Sequence, residues 1–102
     1  MKTTGKYILN GHDPTPCDDL LDWGGWMEKG DRIVKQETVN GTWISTVFLG
    51  IDHQYGGGPP LLFETMTRRP DGTWDRQERC STWEEAESQH AAMVQEVSSI
   101  RG

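Results

Sequence analysis

The chain has 102 residues, of which 33% are hydrophobic and 25% are charged, so it can bury one core but not two. Its formal net charge of −6 argues against sequence-independent binding to bulk DNA or RNA, which needs an excess of lysine and arginine on one face. No segment approaches the ~20 consecutive apolar residues of a membrane-spanning helix, and the N-terminus lacks the apolar run of a signal peptide, so we expect a cytoplasmic protein without membrane contact.

The first predicted elements are a short strand and a helix. The segment "KYIL" (Lys6–Leu9) is β-prone, and "NGHDPTP" after it predicts turns because it contains Asn-Gly and two prolines. A helix then begins with Asp18 or Asp19 as its N-cap and ends at Gly30. Its expected core-facing side chains follow helical steps of three and four residues: Leu20, Trp23 and Met27.

Four strands are predicted in the middle of the chain. The first is "DRIVKQETV", and Asn40-Gly41 after it is a strong signal for a two-residue hairpin turn. Its partner "TWISTVFLG" has two largely apolar faces, so we expect it in the centre of the sheet. One face holds Ile44, Thr46 and Phe48, and the other holds Trp43, Ser45, Val47 and Leu49. The strand "LLFETMTR", the turn "RPDGTW" and the charged edge strand "TWDRQER" follow.

A terminal helix is predicted for "STWEEAESQHAAMVQEVSSI", where Ser81 and Glu84 form a capping-box pattern. Its apolar seam is Trp83, Ala86, His90, Met93, Val97 and Ile100. Within that seam, His90 is expected to be a partly buried, hydrogen-bonded residue rather than a ligand.

The order of elements, β-α-β-β-β-β-α, predicts an α+β domain. Its antiparallel sheet has four to five strands, and two helices pack on it. The domain spans residues 1–102, with frayed ends at 1–5 and 99–102.

The segment "LGIDHQYGGGPPLLFETM" contains the first candidate site. Polar side chains and a glycine run on a loop at the end of a sheet are well placed to bind a ligand. A connection that only redirects the chain would have the same composition, and a strand rather than a helix follows the glycines, which disfavours a phosphate cradle. The candidate binding residues are Asp52, His53, Tyr55, Gly56, Gly57 and Gly58.

A second candidate site is the hairpin "RRPDGTWDR", which concentrates guanidinium groups in an acidic protein. These groups bind phosphate or carboxylate through paired hydrogen bonds, so the hairpin could grip a nucleotide or an acidic loop. The competing interpretation is an edge strand kept soluble by its charges. The candidate binding residues are Arg68, Arg69, Trp74 and Arg76.

Histidine beside aspartate, in "HD" and "DH", raises a metal-site alternative. A carboxylate orients the imidazole ring in metal centres and general bases. A small metal-dependent hydrolase would use His12, Asp52 and His53, provided that the fold brings these loops together. The spacing matches no motif of the HExxH kind, and surface histidines beside acids are common.

The cysteines, Cys17 and Cys80, form no metal-binding pattern and are expected to be reduced. Cys80 directly precedes the terminal helix, whose dipole could lower its thiol pKa, but the glutamates of the first turn oppose that shift. No catalytic residue and no cofactor is therefore assigned.

Three stretches, "KYILNGHDPTPCDDL", "STVFLGIDHQYGGGPPLLFETM" and "STWEEAESQHAAMV", together resemble a widespread family of small proteins encoded by tailed phages and prophages. The family carries no assigned activity, so the resemblance implies a setting inside a bacterial host cell and no catalytic residues. We expect a small acidic phage-encoded accessory protein that binds a host or phage macromolecule, with counter-defence inhibition as one role it could serve. The expected partner is a protein, while a nucleotide ligand, a nucleotide-sequestering role and a homodimer stay open.

Overall fold

A computed structural model describes residues 5–53 and 57–99 of the chain. Its elements are β1 (Tyr7–Asn10), β2 (Asp13–Pro16), α1 (Leu20–Lys29), β3 (Ile33–Val39), β4 (Thr42–Phe48), β5 (Phe63–Arg68), β6 (Trp74–Cys80) and α2 (Trp83–Ser99). The predicted α+β class is confirmed, with one more strand before the first helix than expected. Apart from Gly5 and Ser99, the expected frayed ends lie outside the described residues.

All strand pairs are antiparallel, and the strands form two sheets. The larger sheet has four strands in the order β3-β4-β5-β6, so β4 is central and β6 is an edge strand, as predicted. The smaller sheet is the hairpin of β1 and β2.

Strand β2 corrects the prediction that "NGHDPTP" contains only turns. Its prolines, Pro14 and Pro16, oppose Leu9 and Tyr7 of β1. A proline lacks the N–H that a ladder position requires, but the N–H groups of alternate residues on an edge strand point away from the partner. Both prolines occupy such positions, so the hairpin tolerates them.

The β3–β4 turn forms at Asn40-Gly41 as predicted. Both residues have positive φ angles, 49° and 83°, which is the backbone geometry that a tight two-residue hairpin requires. A Cβ atom added at Gly41 would lie 3.0 Å from Cγ of Pro70 in the β5–β6 turn. The tips of the two hairpins therefore pack against each other.

One face of the four-stranded sheet, here called the inner face, is buried under α2. Ile44 and Phe48 of β4 and Phe63 of β5 are each 0% exposed there. Helix α2 packs across all four strands. The predicted seam residues Ala86, His90 and Met93 are buried, Trp83 and Val97 are half-buried, and Ile100 lies outside the described residues.

The N-terminal cap of α2 lies one residue later than predicted. The hydroxyl of Thr82 accepts a hydrogen bond from the backbone N–H of Glu85, and the Glu85 carboxylate accepts one from the Thr82 backbone N–H, each at 3.1 Å. Ser81 and Glu84 match the same sequence pattern. However, the chain leaves β6 at Cys80, so Thr82 rather than Ser81 is the last residue before the helix.

Helix α1 begins at the predicted cap, where Asp19 Oδ1 accepts the N–H of the third helical residue at 3.0 Å. Its core-facing side differs from the prediction because Leu20 is 64% exposed. Instead, Trp26 packs edge-on against Phe48, with ring centroids 5.6 Å apart. A short helix at the border of the core buries a narrow stripe, and the large indole rings fill it.

The other face of the four-stranded sheet, the outer face, carries no covering element in the described part of the chain. Both helices lie on the inner side: α2 covers the inner face, and α1 reaches it through Trp26. No helix among the described residues has the length and apolar character to cross a membrane.

Candidate functional site

The glycine–proline loop is fastened at its base. The carboxylate of Asp52 accepts the backbone N–H of Leu61 at 3.0 Å, and the backbone N–H of His53 donates to the Leu61 carbonyl at 3.1 Å. The Asp52 side chain thus joins the two ends of the loop, and the His53 side chain is half-buried. A structural role accounts for both contacts.

Two glycines of this loop, Gly57 and Gly58, are required by the backbone. Gly57 and Gly58 have φ angles of 71° and 133°, which side-chain-bearing residues rarely adopt. Tyr55 and Gly56, the other two candidates of this loop, lie outside the described residues.

The residues of the metal alternative do not form a metal centre. His12 stacks flat on Trp83, with ring centroids 3.8 Å apart and an interplanar angle of 4°. Residues 5–53 and 57–99 contain no group of three or more His, Cys, Asp or Glu side chains arranged to hold a metal ion.

The thiol of Cys80 is not activated. Burial raises its pKa to about 11, and the charge of Glu85 acts in the same direction. The opposing effect of the glutamates was predicted from the sequence, but the larger cause is burial. A thiol with this pKa stays protonated at neutral pH and is a poor nucleophile.

A chain of hydrogen-bonded polar side chains runs through the interface between α2 and the sheet. Its links are Glu37–His90 at 2.7 Å, His90–Thr46 at 2.7 Å, Thr46–Thr65 at 2.7 Å and Thr65–Gln89 at 3.1 Å. His90 is only 2% exposed, and both threonines are 0% exposed. We call Glu37, His90, Thr46, Thr65 and Gln89 the polar chain.

The donor and the acceptor of each hydrogen bond in the polar chain can be assigned by starting from Gln89. The amide nitrogen of Gln89 donates to the carbonyl of Arg79 at 3.5 Å, so its oxygen faces Thr65 and must accept. Each threonine hydroxyl has one proton to donate. Thr65 therefore donates to Gln89, Thr46 donates to Thr65, and Nδ1 of His90 donates to Thr46. At the other end of the polar chain, Nε2 of His90 lies 2.7 Å from a carboxylate oxygen of Glu37.

The order Glu–His–Thr is shared with hydrolytic triads, but here it does not describe a catalytic site. The Thr46 hydroxyl is fully buried and already bonded on two sides. A groove of about 300 Å³ between β3 and α2 is lined by Glu37 and His90, among others, but not by Thr46. No substrate can reach the hydroxyl, so the polar chain is a structural contact. The expectation that His90 is buried and internally bonded is confirmed.

Two of the four candidates in the arginine hairpin are neutralised by the protein itself. Arg69 pairs with Asp75 at 2.8 Å. Arg76 pairs with Glu78 at 3.1 Å and also with Glu96 of α2. These guanidinium groups are therefore already satisfied by internal ion pairs.

The remaining two candidates, Arg68 and Trp74, meet on the outer face together with Trp43. Arg68 opposes Trp43 on one side and Trp74 on the other in the strand ladder. Its guanidinium carbon lies 5.2 Å from the ring centroid of Trp43 and 5.5 Å from that of Trp74, a cation–π geometry. The two indole rings are 6.1 Å apart and tilted by 57°. We call these three residues the Trp–Arg–Trp cluster.

The Trp–Arg–Trp cluster differs electrostatically from its surroundings. Arg79, on the same face, pairs with the nearly buried Glu64 at 3.0 Å, and Gln77 also donates to that carboxylate. Arg68 forms no ion pair with any carboxylate of the residues described. Within residues 5–53 and 57–99, the groups that stabilise its charge are the faces of two aromatic rings.

The two predicted binding regions lie at opposite ends of β5. The glycine loop precedes this strand, whereas Arg68 is its last residue. At about 3.3 Å per residue, the strand separates them by roughly 17 Å. A nucleotide that contacted both regions would have to span that distance.

Trp43 is the member of the cluster that sequence reasoning missed. The alternation of β4 assigns it to the outer face, which is a usable signal. The sequence did not reveal its pairing with Arg68, because the long loop between β4 and β5 leaves the register between the two strands undetermined.

Comparisons of the chain with protein-family models, with curated proteins and with solved structures give no match.

Proposed function

We propose that this protein is a non-enzymatic binding module that docks a protein partner on the outer face of its four-stranded sheet. The observation that carries the proposal is the Trp–Arg–Trp cluster, in which two large aromatic rings hold a guanidinium without a carboxylate partner in the described residues.

The composition and exposure of the outer face support this proposal. Tryptophan and arginine are the residue types that most often dominate the free energy of protein–protein binding. Trp74 is 51% exposed, and Ile33 on the same face is 47% exposed. A partner that covered these side chains would gain the free energy of burying their apolar area.

The case for catalysis is weaker. The only histidine–hydroxyl pair of the polar chain is inaccessible, and burial keeps the Cys80 thiol protonated. A binding surface, in contrast, needs only exposed side chains in a fixed arrangement.

The biological setting of the proposal comes from the resemblance to phage and prophage proteins. It suggests that the partner is a host or phage protein inside the bacterial cell, and that the chain is an accessory protein. Blocking a host defence component is one role that such an interaction would serve.

Photo-crosslinking tests the docking face. A benzoylphenylalanine residue is introduced at Thr38, exposed on the outer face, or at Ser88, exposed on α2, in protein expressed in bacterial cells. We expect a crosslinked partner protein from position 38 that disappears with Trp74→Ala. It should persist with Leu21→Ala, which removes another exposed apolar side chain (86% exposed) away from this face. Equal crosslinking from position 88, no product from position 38, or a product that is only a second copy of this chain would refute the proposal.

A further inference from the structure

We propose that the Trp–Arg–Trp cluster binds the carboxylate of an aspartate or glutamate presented by the partner protein. This inference rests on the proposed function and specifies the chemistry that the outer face recognises.

Arg68 is positioned by two aromatic rings. Its guanidinium carbon lies over both indole rings, 5.2 Å and 5.5 Å from their centroids. The N–H groups of a guanidinium form paired hydrogen bonds to a carboxylate. Because the rings already restrict the side chain, a ligand would lose less conformational entropy in ordering it.

Two carboxylates on β5 and β6 already have arginine partners. Asp75, next to Trp74, is held by Arg69 at 2.8 Å, and Glu64 is held by Arg79 at 3.0 Å. The chain has 16 acidic and 10 basic residues, yet no acid in the described ranges pairs with Arg68. An unpaired cation in a protein with surplus acid points to a carboxylate supplied from outside.

The charges of this face favour a protein ligand over a nucleic acid. A polyanion needs several unpaired cations along its path, and each phosphate contact requires one of them. Arg79 on this face is neutralised by Glu64, and the whole chain carries a net charge of −6. The Arg68 guanidinium beside the exposed indole of Trp74 suits one carboxylate beside an apolar side chain.

The test uses a display library of random linear peptides selected on the wild-type protein and counter-selected on Arg68→Gln. The best peptide is then titrated into wild-type protein while the indole N–H signals of Trp43 and Trp74 are followed by NMR. Its acidic residue is replaced by the corresponding amide in a second peptide. Arg76→Gln is the matched protein control, because it removes an exposed arginine of the same hairpin that already has internal partners.

We expect the enriched peptides to share an aspartate or glutamate next to an apolar residue. Changing that acid to its amide, or Arg68 to Gln, should weaken binding by roughly tenfold or more, whereas Arg76→Gln should change it less than about twofold. The peptide-side change is made on wild-type protein, so it remains decisive even if the Arg68 variant folds poorly.

Three results would overturn the carboxylate assignment: no enrichment, enriched peptides without an essential acid, or displacement of the peptide by oligothymidylate. If crosslinking from position 38 still depends on Trp74 in that case, the docking face stands and only its chemistry is wrong. If that crosslinking is absent as well, the proposed function fails.

Discussion

At the scale of single residues, the polar chain places five side chains with hydrogen-bonding groups in the contact between α2 and the sheet. Burying such groups costs free energy unless each donor and acceptor is satisfied. Here one run of bonds satisfies them, from the carboxylate of Glu37 through His90 to the amide of Gln89. The run therefore fixes where α2 lies on the strands, because any shift would leave a buried group without a partner.

Thr46→Val tests whether these hydrogen bonds stabilise the fold. Valine has nearly the same shape but cannot accept the Nδ1 proton of His90, so a buried donor loses its partner. We expect a loss of about 1–3 kcal/mol in the free energy of unfolding, measured by urea denaturation. Thr38→Val, at an exposed position on β3, should stay within about 0.5 kcal/mol. In wild-type protein, ¹⁵N NMR of His90 should find Nδ1 protonated. An unprotonated Nδ1 would contradict the hydrogen-bond directions assigned to the polar chain.

Glu37 makes the free energy of unfolding vary with pH in the acidic range. The hydrogen bond from His90, and to a smaller extent the charge of Lys35, lowers the pKa of this carboxyl below its ordinary value of 4.5. Its contribution is therefore fully present above about pH 4.5 and is lost as the pH falls through the lower pKa of the folded state.

We therefore expect the free energy of unfolding of the wild type to fall more steeply below pH 4.5 than that of Glu37→Gln, which has no charge to titrate. Urea denaturation of both proteins at pH 7 and at several acidic values measures the difference. Parallel curves would contradict the assignment.

At the scale of elements, α2 begins where two residues cap it with reciprocal hydrogen bonds, and not at the first capping-box pattern in the sequence. Ser81–Glu84 and Thr82–Glu85 are both spaced as capping boxes, and only the second pair bonds in both directions. The geometry of the chain leaving β6 determines which residue adopts the cap conformation.

Thr82→Ala should therefore cost about 1 kcal/mol of stability, because it leaves an N–H of the first helical turn without its side-chain acceptor. Ser81→Ala should change the free energy of unfolding by less than about 0.5 kcal/mol. Thermal and urea unfolding of the two variants measure both values. A larger loss of stability in Ser81→Ala than in Thr82→Ala would indicate that Ser81 is the cap.

At the scale of the whole molecule, Gly50 joins the N-terminal elements to the four-stranded sheet. Its carbonyl accepts the backbone N–H of Tyr7 at 2.8 Å and the indole N–H of Trp23 at 3.0 Å. The β1–β2 hairpin and α1 thus both dock on one peptide group. Its φ of 78° lies in the left-handed region that favours glycine.

Gly50→Ala should weaken the hydrogen bonds that Tyr7 and Trp23 donate to the carbonyl of residue 50. Alanine is strained at positive φ, and its Cβ would lie 2.5 Å from Sδ of Met27, which must move. We expect a loss of about 1–3 kcal/mol, with faster hydrogen exchange at the Tyr7 amide and the Trp23 indole. Gly72→Ala is the matched control, because its φ is 90° but nothing lies within 4 Å of the added atom. It should lose no protection at Tyr7 or Trp23.

The sequence by itself determined the features that depend on a few neighbouring residues. Asn40-Gly41 specifies its turn because only certain residues adopt positive φ angles. Asp18 and Asp19 limit the cap of α1 to two positions, of which the structure uses Asp19. The buried seam of α2 and the central place of β4 follow from the spacing of apolar residues, and together these patterns predict the α+β class.

Only the tertiary structure decided which distant side chains meet. The register between β4 and β5 places Trp43 opposite Arg68. The position of α2 on the sheet brings His90 into contact with Glu37. These pairings span dozens of residues along the chain, and they are set by the joint packing of the sheet and α2 rather than by any local preference.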